Sequence, residues 1–305
     1  MAGFYLSIGS IIIDDIILPD GTEKMGILGG GLTHAVMGLR VWTDRVGIIS
    51  SVGGDFGPAQ IDLLESYFDL SGLRIFEDVP TSRAWQVFEE DGTRHETFQT
   101  DFEELKANLP KPDQIPAAYA EVVGVHLQCP PEEVNRWVPK LRERACRVIL
   151  WEPYDEFCRP ENRDLFIQNC QQVDVVSPNL REARQLTGLD DPVDIVYQLR
   201  AYGARMVAVR MAEAGSLLLD EQGDLFQVPA YPVKHIVDVT GAGNAYCGGF
   251  VYGLATTGDA HQAGWYGGVS ASLALHQFGA LYPLEGLSER AQHRLDWYRQ
   301  HACTA

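Results

Sequence analysis

The chain has 305 residues with 42 acidic and 24 basic side chains, a formal charge of −18. A surface of that sign repels a phosphate backbone, which excludes nucleic-acid binding as the main role. The length allows one large α/β domain with an appendage, or two domains, and no apolar run is long enough to span a membrane. The six cysteines (129, 146, 158, 170, 247 and 303) form no C-x-x-C pair and no zinc spacing, a usage that fits a reducing, cytoplasmic setting. No basic stretch precedes the first apolar run, so that run is expected as a buried strand and not a signal peptide.

Taken in chain order, Tyr5–Ile13 is a near-continuous apolar run, expected as one strand buried on both faces. Ile16–Leu18 leads into a Pro19-Asp20-Gly21 turn, Thr33–Val41 has helical spacing, Val46–Ser51 reads as a strand and Asp55–Phe68 as an amphipathic helix. Leu73–Phe76, Ala84–Glu89 and His95–Phe98 read as short strands, the last two joined through Glu90-Asp91-Gly92-Thr93. This β-rich island, with 16–18, is expected to form a small lid sheet from segments at about 16–25 and 73–100. Trp85, Val87 and Phe98 on it are candidates to face a second copy, giving a homodimer.

From Glu121 strands and helices alternate. Strands are expected at Val122–Leu127, Val148–Trp151, Val173–Ser177, Met206–Arg210 and Ser216–Leu219. Helices are expected at Glu132–Arg144, Asn162–Gln171, Leu180–Thr187, Val193–Tyr202, Gly241–Thr257, His261–Phe278 and Ser288–Tyr298. Such alternation implies a three-layer α-β-α domain with a mostly parallel sheet, and ligands at the carboxyl ends of its strands.

The stretch from Asp238 to Phe250 carries most of the chemistry. A turn, Gly241-Ala242-Gly243-Asn244, opens directly into an apolar helix. Glycines let several N–H groups point one way, and the helix presents its positive end to the same spot, which makes an anion site. Asn179 and Glu182, spaced i to i+3 after a strand, project together and read as an N-cap with its capping-box partner. Asp14, with Asp15 beside it, ends the opening strand as a turn carboxylate would. Gly29-Gly30-Gly31 opens a helix containing His34.

These motifs, in this order over nearly the whole chain, resemble the ribokinase-like (PfkB) family of carbohydrate and nucleoside kinases. The resemblance implies ATP and Mg²⁺ as cofactors, with a monovalent cation as a further candidate, and a small polyol or nucleoside as substrate. It assigns substrate contacts to Asp14, Gly30, Gly31, His34 and Arg94. Nucleotide contacts fall on Asn179, Arg210, Glu213, Gly215, Thr240, Gly241, Gly243 and His276, and metal contacts on Glu182 and Asp238. Gly241, Ala242, Gly243 and Asn244 form the catalytic turn. Asn244, however, stands where the family carries the aspartate that acts as base. Ala212 replaces a usual glycine, and Trp151-Glu152-Pro153 replaces Asp-Pro-Asn. These departures resemble an atypical fungal branch. An amide cannot take the hydroxyl proton, and base assistance is worth about 10²–10⁴-fold, whereas positioning and charge stabilisation carry most of phosphoryl transfer. The expectation is a slow phosphotransferase to an alcohol. The alternatives are a silent nucleotide- or metabolite-binding protein, or a trapping variant of an active kinase. On the sequence alone, Asn244→Asp should raise turnover by about 10²–10⁴-fold.

Overall fold

The computed structural model describes residues 3–301, apart from 91–93, 102–103, 105 and 107–108. Among these, nine strands form one sheet. They are β1 (Phe4–Ile8), β4 (Val46–Gly53), β5 (Asp69–Phe76), β8 (Val122–Leu127), β9 (Val148–Trp151), β10 (Val175–Val176), β11 (Met206–Arg210), β12 (Ser216–Leu219) and β13 (Leu225–Val228). Their order across the sheet is β13-β12-β11-β10-β9-β8-β1-β4-β5. Every pairing is parallel except β11–β12 and β12–β13. The central strands are buried along their whole length apart from Phe4 at the start of β1, as expected where helices cover both faces.

Two apolar clusters fill the layers. One packs beneath helices Gly31–Arg40, Ala242–Thr257, Ala260–Ala274 and Leu287–His301. The other packs beneath Pro131–Arg142, Arg163–Cys170, Leu180–Thr187 and Pro192–Ala201. Trp151 belongs to the second, in contact with Phe166. The five cysteines within the described residues are free and buried; Cys303 lies outside them. No helix among the described residues is long and apolar enough to cross a membrane.

The lid is a separate four-stranded sheet built from β2 (Ile12–Ile17), β3 (Glu23–Gly29), β6 (Arg83–Phe88) and β7 (Arg94–Phe98), in the order β3-β2-β6-β7. Its β2–β6 pairing is parallel and the other two are antiparallel. Two expectations are corrected here. Leu73–Phe76 is not a lid strand: it is the end of β5, paired in parallel with β4 at the edge of the main sheet. The run Tyr5–Ile13 is not one strand. It breaks at Gly9–Ile11, where Ser50 Oγ donates to Gly9 O at 2.8 Å and accepts from Ile11 N at 3.3 Å, and the chain then leaves the main sheet for the lid. The run is apolar throughout because both halves are buried, each in a different sheet. Part of the expected 90–93 hairpin turn, residues 91–93, lies outside the described residues.

Helices Gly31–Arg40 and Ala242–Thr257 pack backbone against backbone. A Cβ at Gly248 would lie 2.0 Å from the carbonyl oxygen of Ala35, and one at Gly38 would lie 2.2 Å from that of Ala245. This contact sets the turn at 241–244 against the start of the first helix. Gly248→Ala should therefore force the helices apart, at a cost of about 2–3 kcal/mol. A thermal melt is expected to show a midpoint roughly 6 °C lower; an unchanged midpoint would mean that the helices have room to yield.

Candidate active site

The chemistry-bearing side chains follow the carboxyl ends of the parallel strands. Glu152 comes directly after β9, Asn179 after β10, and Arg210 ends β11. The turn opens opposite them: Gly241 is left-handed, with φ 72° and ψ 0°, and caps helix Ala242–Thr257 without any side-chain cap. A side chain at 241 would meet strain and also the ring of His34, whose Cγ lies 2.0 Å from the position of a Cβ. No hydroxyl caps the first turn: Ala242 N donates to Val239 O at 3.3 Å, and the Gly243 and Asn244 amides are the ones left for a ligand.

Glu152 is the hub that sequence reading missed. Its carboxylate is 3% exposed and has three partners. Oε1 pairs with Arg210 Nη1 at 2.6 Å, while Oε2 accepts from His126 Nε2 at 2.7 Å and from Asn244 Nδ2 at 3.0 Å. Behind it, His126 Nδ1 meets Ser7 Oγ at 2.8 Å. Burial alone would push the Glu152 carboxyl up, but the Arg210 charge and the His126 and Asn244 hydrogen bonds outweigh it and hold it at about 2. The available signal was a carboxylate immediately after a parallel strand. In Trp151-Glu152-Pro153 it is the glutamate that enters the site, while the tryptophan fills the core.

Arg210 is not a surface cation, and its guanidinium is already engaged by two carboxylates, with Nε left unpartnered. It is buried and held between Glu152 and Glu182, the latter at 3.6 Å, with Nη2 donating to Ser177 O at 2.9 Å. Glu182 forms a complete capping box with Asn179: its oxygens accept from Asn179 N at 2.7 Å and Asn179 Nδ2 at 2.6 Å, and its own N–H donates to Asn179 Oδ1. Burial raises its carboxyl to about 7 despite Arg210. A carboxylate offers about four acceptor sites, so Glu182 retains capacity for a metal-bound water. The Asp238 Oδ2 and Thr240 Oγ1 atoms are buried without a partner, while Asp238 Oδ1 accepts from Thr240 N at 2.8 Å. The unpartnered oxygens of Asp238 and Thr240 are of the kind a hard cation takes, and so, at its own position, is the Glu182 carboxylate.

The other end of the site is Asp14. It is buried, accepts from Gln86 Nε2 at 3.0 Å and from the backbone of Gly30, and feels Glu96 and Arg94. Burial raises its carboxyl to about 7. Asp15 is a lid strut: Arg83 holds it through two bonds of 2.7 and 2.8 Å, with Gln99 and Gly26 adding more. Gly30 and Gly31 start the first helix, whose first turn carries His34. His34 is 3% exposed and lies under Gly241 with both ring nitrogens unpartnered, so burial and Arg94 lower it to about 4. It packs beneath the turn, with its ring buried against Gly241. Arg94 opens β7, and its charge reaches both Asp14 and His34.

Glu213 is exposed on a short 3-10 turn that ends at left-handed Gly215. Ala212, standing where a glycine was expected, is itself left-handed at φ 50°. His276 lies beyond the helix, which ends at Ala274 and not at Phe278, and it is hydrogen-bonded to Arg294 at 2.8 Å. The structure thus joins Asp14, the 30–34 segment, the 241–244 turn, Arg210 and the Asn179–Glu182 pair, with Glu152 and His126 added. It leaves Glu213 and His276 outside the hydrogen-bonded cluster.

The model of the pfkB carbohydrate kinase family matches residues 4–286. A cytidine kinase from Thermococcus kodakarensis is 30% identical over 250 residues, covering 81% of this chain and 86% of that protein. Protein MAK32 of Saccharomyces cerevisiae is 25% identical over 311 residues, covering 89% of this chain and 84% of that one. A crystal structure of fructokinase from Vibrio cholerae with fructose, ADP and calcium superposes with a TM-score of 0.75 at 19% identity, covering 94% of this chain and 99% of that one.

Because its folded-state value lies above that of an unfolded aspartate, Asp14 binds a proton more tightly when folded. It therefore weakens the fold as pH rises from about 4 to about 7. Asp14→Asn should leave stability near pH 4 unchanged and add about 2–4 kcal/mol at pH 8. Denaturant melts at the two pH values check this; an equal effect at both would show Asp14 to be solvated.

Proposed function

Since the chain belongs to the pfkB family of carbohydrate kinases, we propose that it transfers the γ-phosphoryl group of ATP to a hydroxyl of a small polyol, with a nucleoside or a pentose-like sugar as the acceptor class. The observation that carries this reading is one continuous path of contacts. Asp14 touches Gly30, the first helix starts there, and His34 in its first turn lies under Gly241. An acceptor for hydroxyl donors and a cradle for phosphate oxygens therefore share one short stretch of chain.

In this reading Asp14 accepts hydroxyls of the acceptor, and the amides of Gly243 and Asn244 meet the phosphates. Glu182, with Asp238 and Thr240 as further oxygen donors, holds the divalent or monovalent cation, which would neutralise developing phosphate charge. Asn244 orients the attacking hydroxyl. The hydroxyl oxygen forms its bond to the γ-phosphorus as the bond to the bridging oxygen breaks, and ADP departs. A neutral amide cannot take the hydroxyl proton, which passes instead to a phosphoryl oxygen or to water, and this predicts slow transfer. The lid strands cover the acceptor. Met25 and Phe98, exposed on its outer strands, and half-buried Trp85 and Val87 favour a second copy of the chain packing there.

A second reading, a binder without turnover, draws on one observation. Arg210 is committed to Glu152 and Glu182, so the most buried cation of the site does not await a phosphate. Transfer from labelled ATP with Mg²⁺ to cytidine, adenosine, ribose and fructose separates the two. Slow transfer to at least one acceptor, abolished by Asp14→Ala with ATP affinity kept, is expected. Calorimetric ATP binding with no transfer to any acceptor would favour the binder, and no ATP binding at all would overturn both.

A further inference from the structure

The amide of Asn244 has two chemically different ends, and the structure settles which one faces inward. An ionised carboxylate only accepts hydrogen bonds, so the group 3.0 Å from Glu152 Oε2 must be the NH₂ end. The oxygen, Oδ1, is then the end left for a ligand. Glu152 cannot turn away, because Arg210 and His126 hold its two oxygens at 2.6 and 2.7 Å in a buried setting. We propose that Glu152 is the positioning residue of this site: it carries the negative charge one hydrogen bond behind residue 244 and locks the Asn244 amide, so that an acceptor oxygen faces the hydroxyl of the substrate.

The proposal rests on the phosphotransfer reading for the identity of the ligand group but not for the lock itself. It also changes what an aspartate at this position would do. A carboxylate there would lie about 3 Å from that of Glu152, by analogy with the present contact, and two carboxylates so placed share a proton. The charged or titratable groups around them are Arg210 from β11, His126 from β8, Glu182 from helix Leu180–Thr187, His34 from the first helix and Cys247 one turn on from residue 244. The cation in direct contact, Arg210, is already shared by Glu152 and Glu182. The introduced carboxyl group would therefore keep its proton and donate it to Glu152, much as the amide does now. A protonated acid is not a base, so Asn244→Asp alone should not deliver the gain expected from the sequence. The charge-conserving swap Asn244→Asp with Glu152→Gln should. There the hydroxyl proton would pass to the introduced carboxylate as the new O–P bond forms, and ADP would leave with the electrons of the broken bond.

The first test needs no ligand. Thermal melts of the natural chain, Asn244→Asp and the double swap are compared at pH 5 and pH 8. The raised folded-state value makes the single variant lose stability as pH rises. It should fall further behind the natural chain at pH 8 than at pH 5 by on the order of 5 °C, while the swap keeps a constant difference. A single-variant deficit that is the same at both pH values overturns the proposal.

If the single variant does not fold, the unaltered chain decides. The Asn244 side-chain amide, identified in ¹H–¹⁵N spectra by its loss in Asn244→Ser, should be protected from solvent exchange; rapid exchange overturns the lock. In the transfer assay the swap should exceed the single variant at pH 7 by tenfold or more, and equal non-zero rates overturn the charge assignment. If no variant transfers phosphate, the functional reading fails while the melts and the amide exchange still decide the lock.

Discussion

The buried pair of Glu152 and Arg210 is the interaction on which the site depends. Two charges are withdrawn from water at the ends of β9 and β11, held 2.6 Å apart, and tied to Ser177, His126, Glu182 and Asn244. Such a pair contributes little net stability, but losing one partner strands the other and costs about 3–5 kcal/mol. Its value is geometric. The Arg210 guanidinium lies against Gly243, where a Cβ would be 2.4 Å from Nη1, so the pair forms the floor of the glycine turn. The strand ends and the turn therefore cannot shift independently.

This floor changes how an acidic protein can receive an anionic nucleotide. In the proposed reading, with Arg210 engaged by Glu152 and Glu182, the charge of the phosphates would fall mainly to the helix amides and to a bound cation. That accords with a chain of net charge −18 that offers unpartnered oxygens at Asp238 and Thr240. The acceptor end works by the opposite logic. Asp14 sits buried with its carboxyl raised, which disfavours the empty charged state and rewards a ligand that brings hydrogen-bond donors. The first helix joins the two ends, through Gly30 on one side and His34 on the other.

Local patterns were legible in the sequence, and long-range partners were not. The spacing of Asn179 and Glu182 yields helix Leu180–Thr187 with the expected bounds, because an N-cap and its N3 partner are set within four residues. The glycine turn is likewise local: left-handed Gly241 ends the loop, and the helix opens at Ala242. Leu73–Phe76 was misplaced because a short β-prone run shows that a strand forms and not which strand it pairs with; it lies at the edge of the main sheet, partly exposed. The break after Ile8 was hidden for a related reason, since β1 and β2 are both buried. Glu152 is 92 residues from Asn244, so nothing near either residue announces the contact. Arg210 read as a phosphate ligand or a surface cation because its two acidic partners lie far away in sequence, Glu152 after β9 and Glu182 in helix Leu180–Thr187.

The central claim is that the turn at 241–244, floored by Glu152 and Arg210, receives nucleotide phosphates through its backbone. Backbone amide resonances followed during titration with ADP and Mg²⁺ test it most directly. The account predicts that the amides of Gly243 and Asn244 show the largest saturable shifts. Saturable binding that leaves them unmoved and instead shifts amides elsewhere would contradict it.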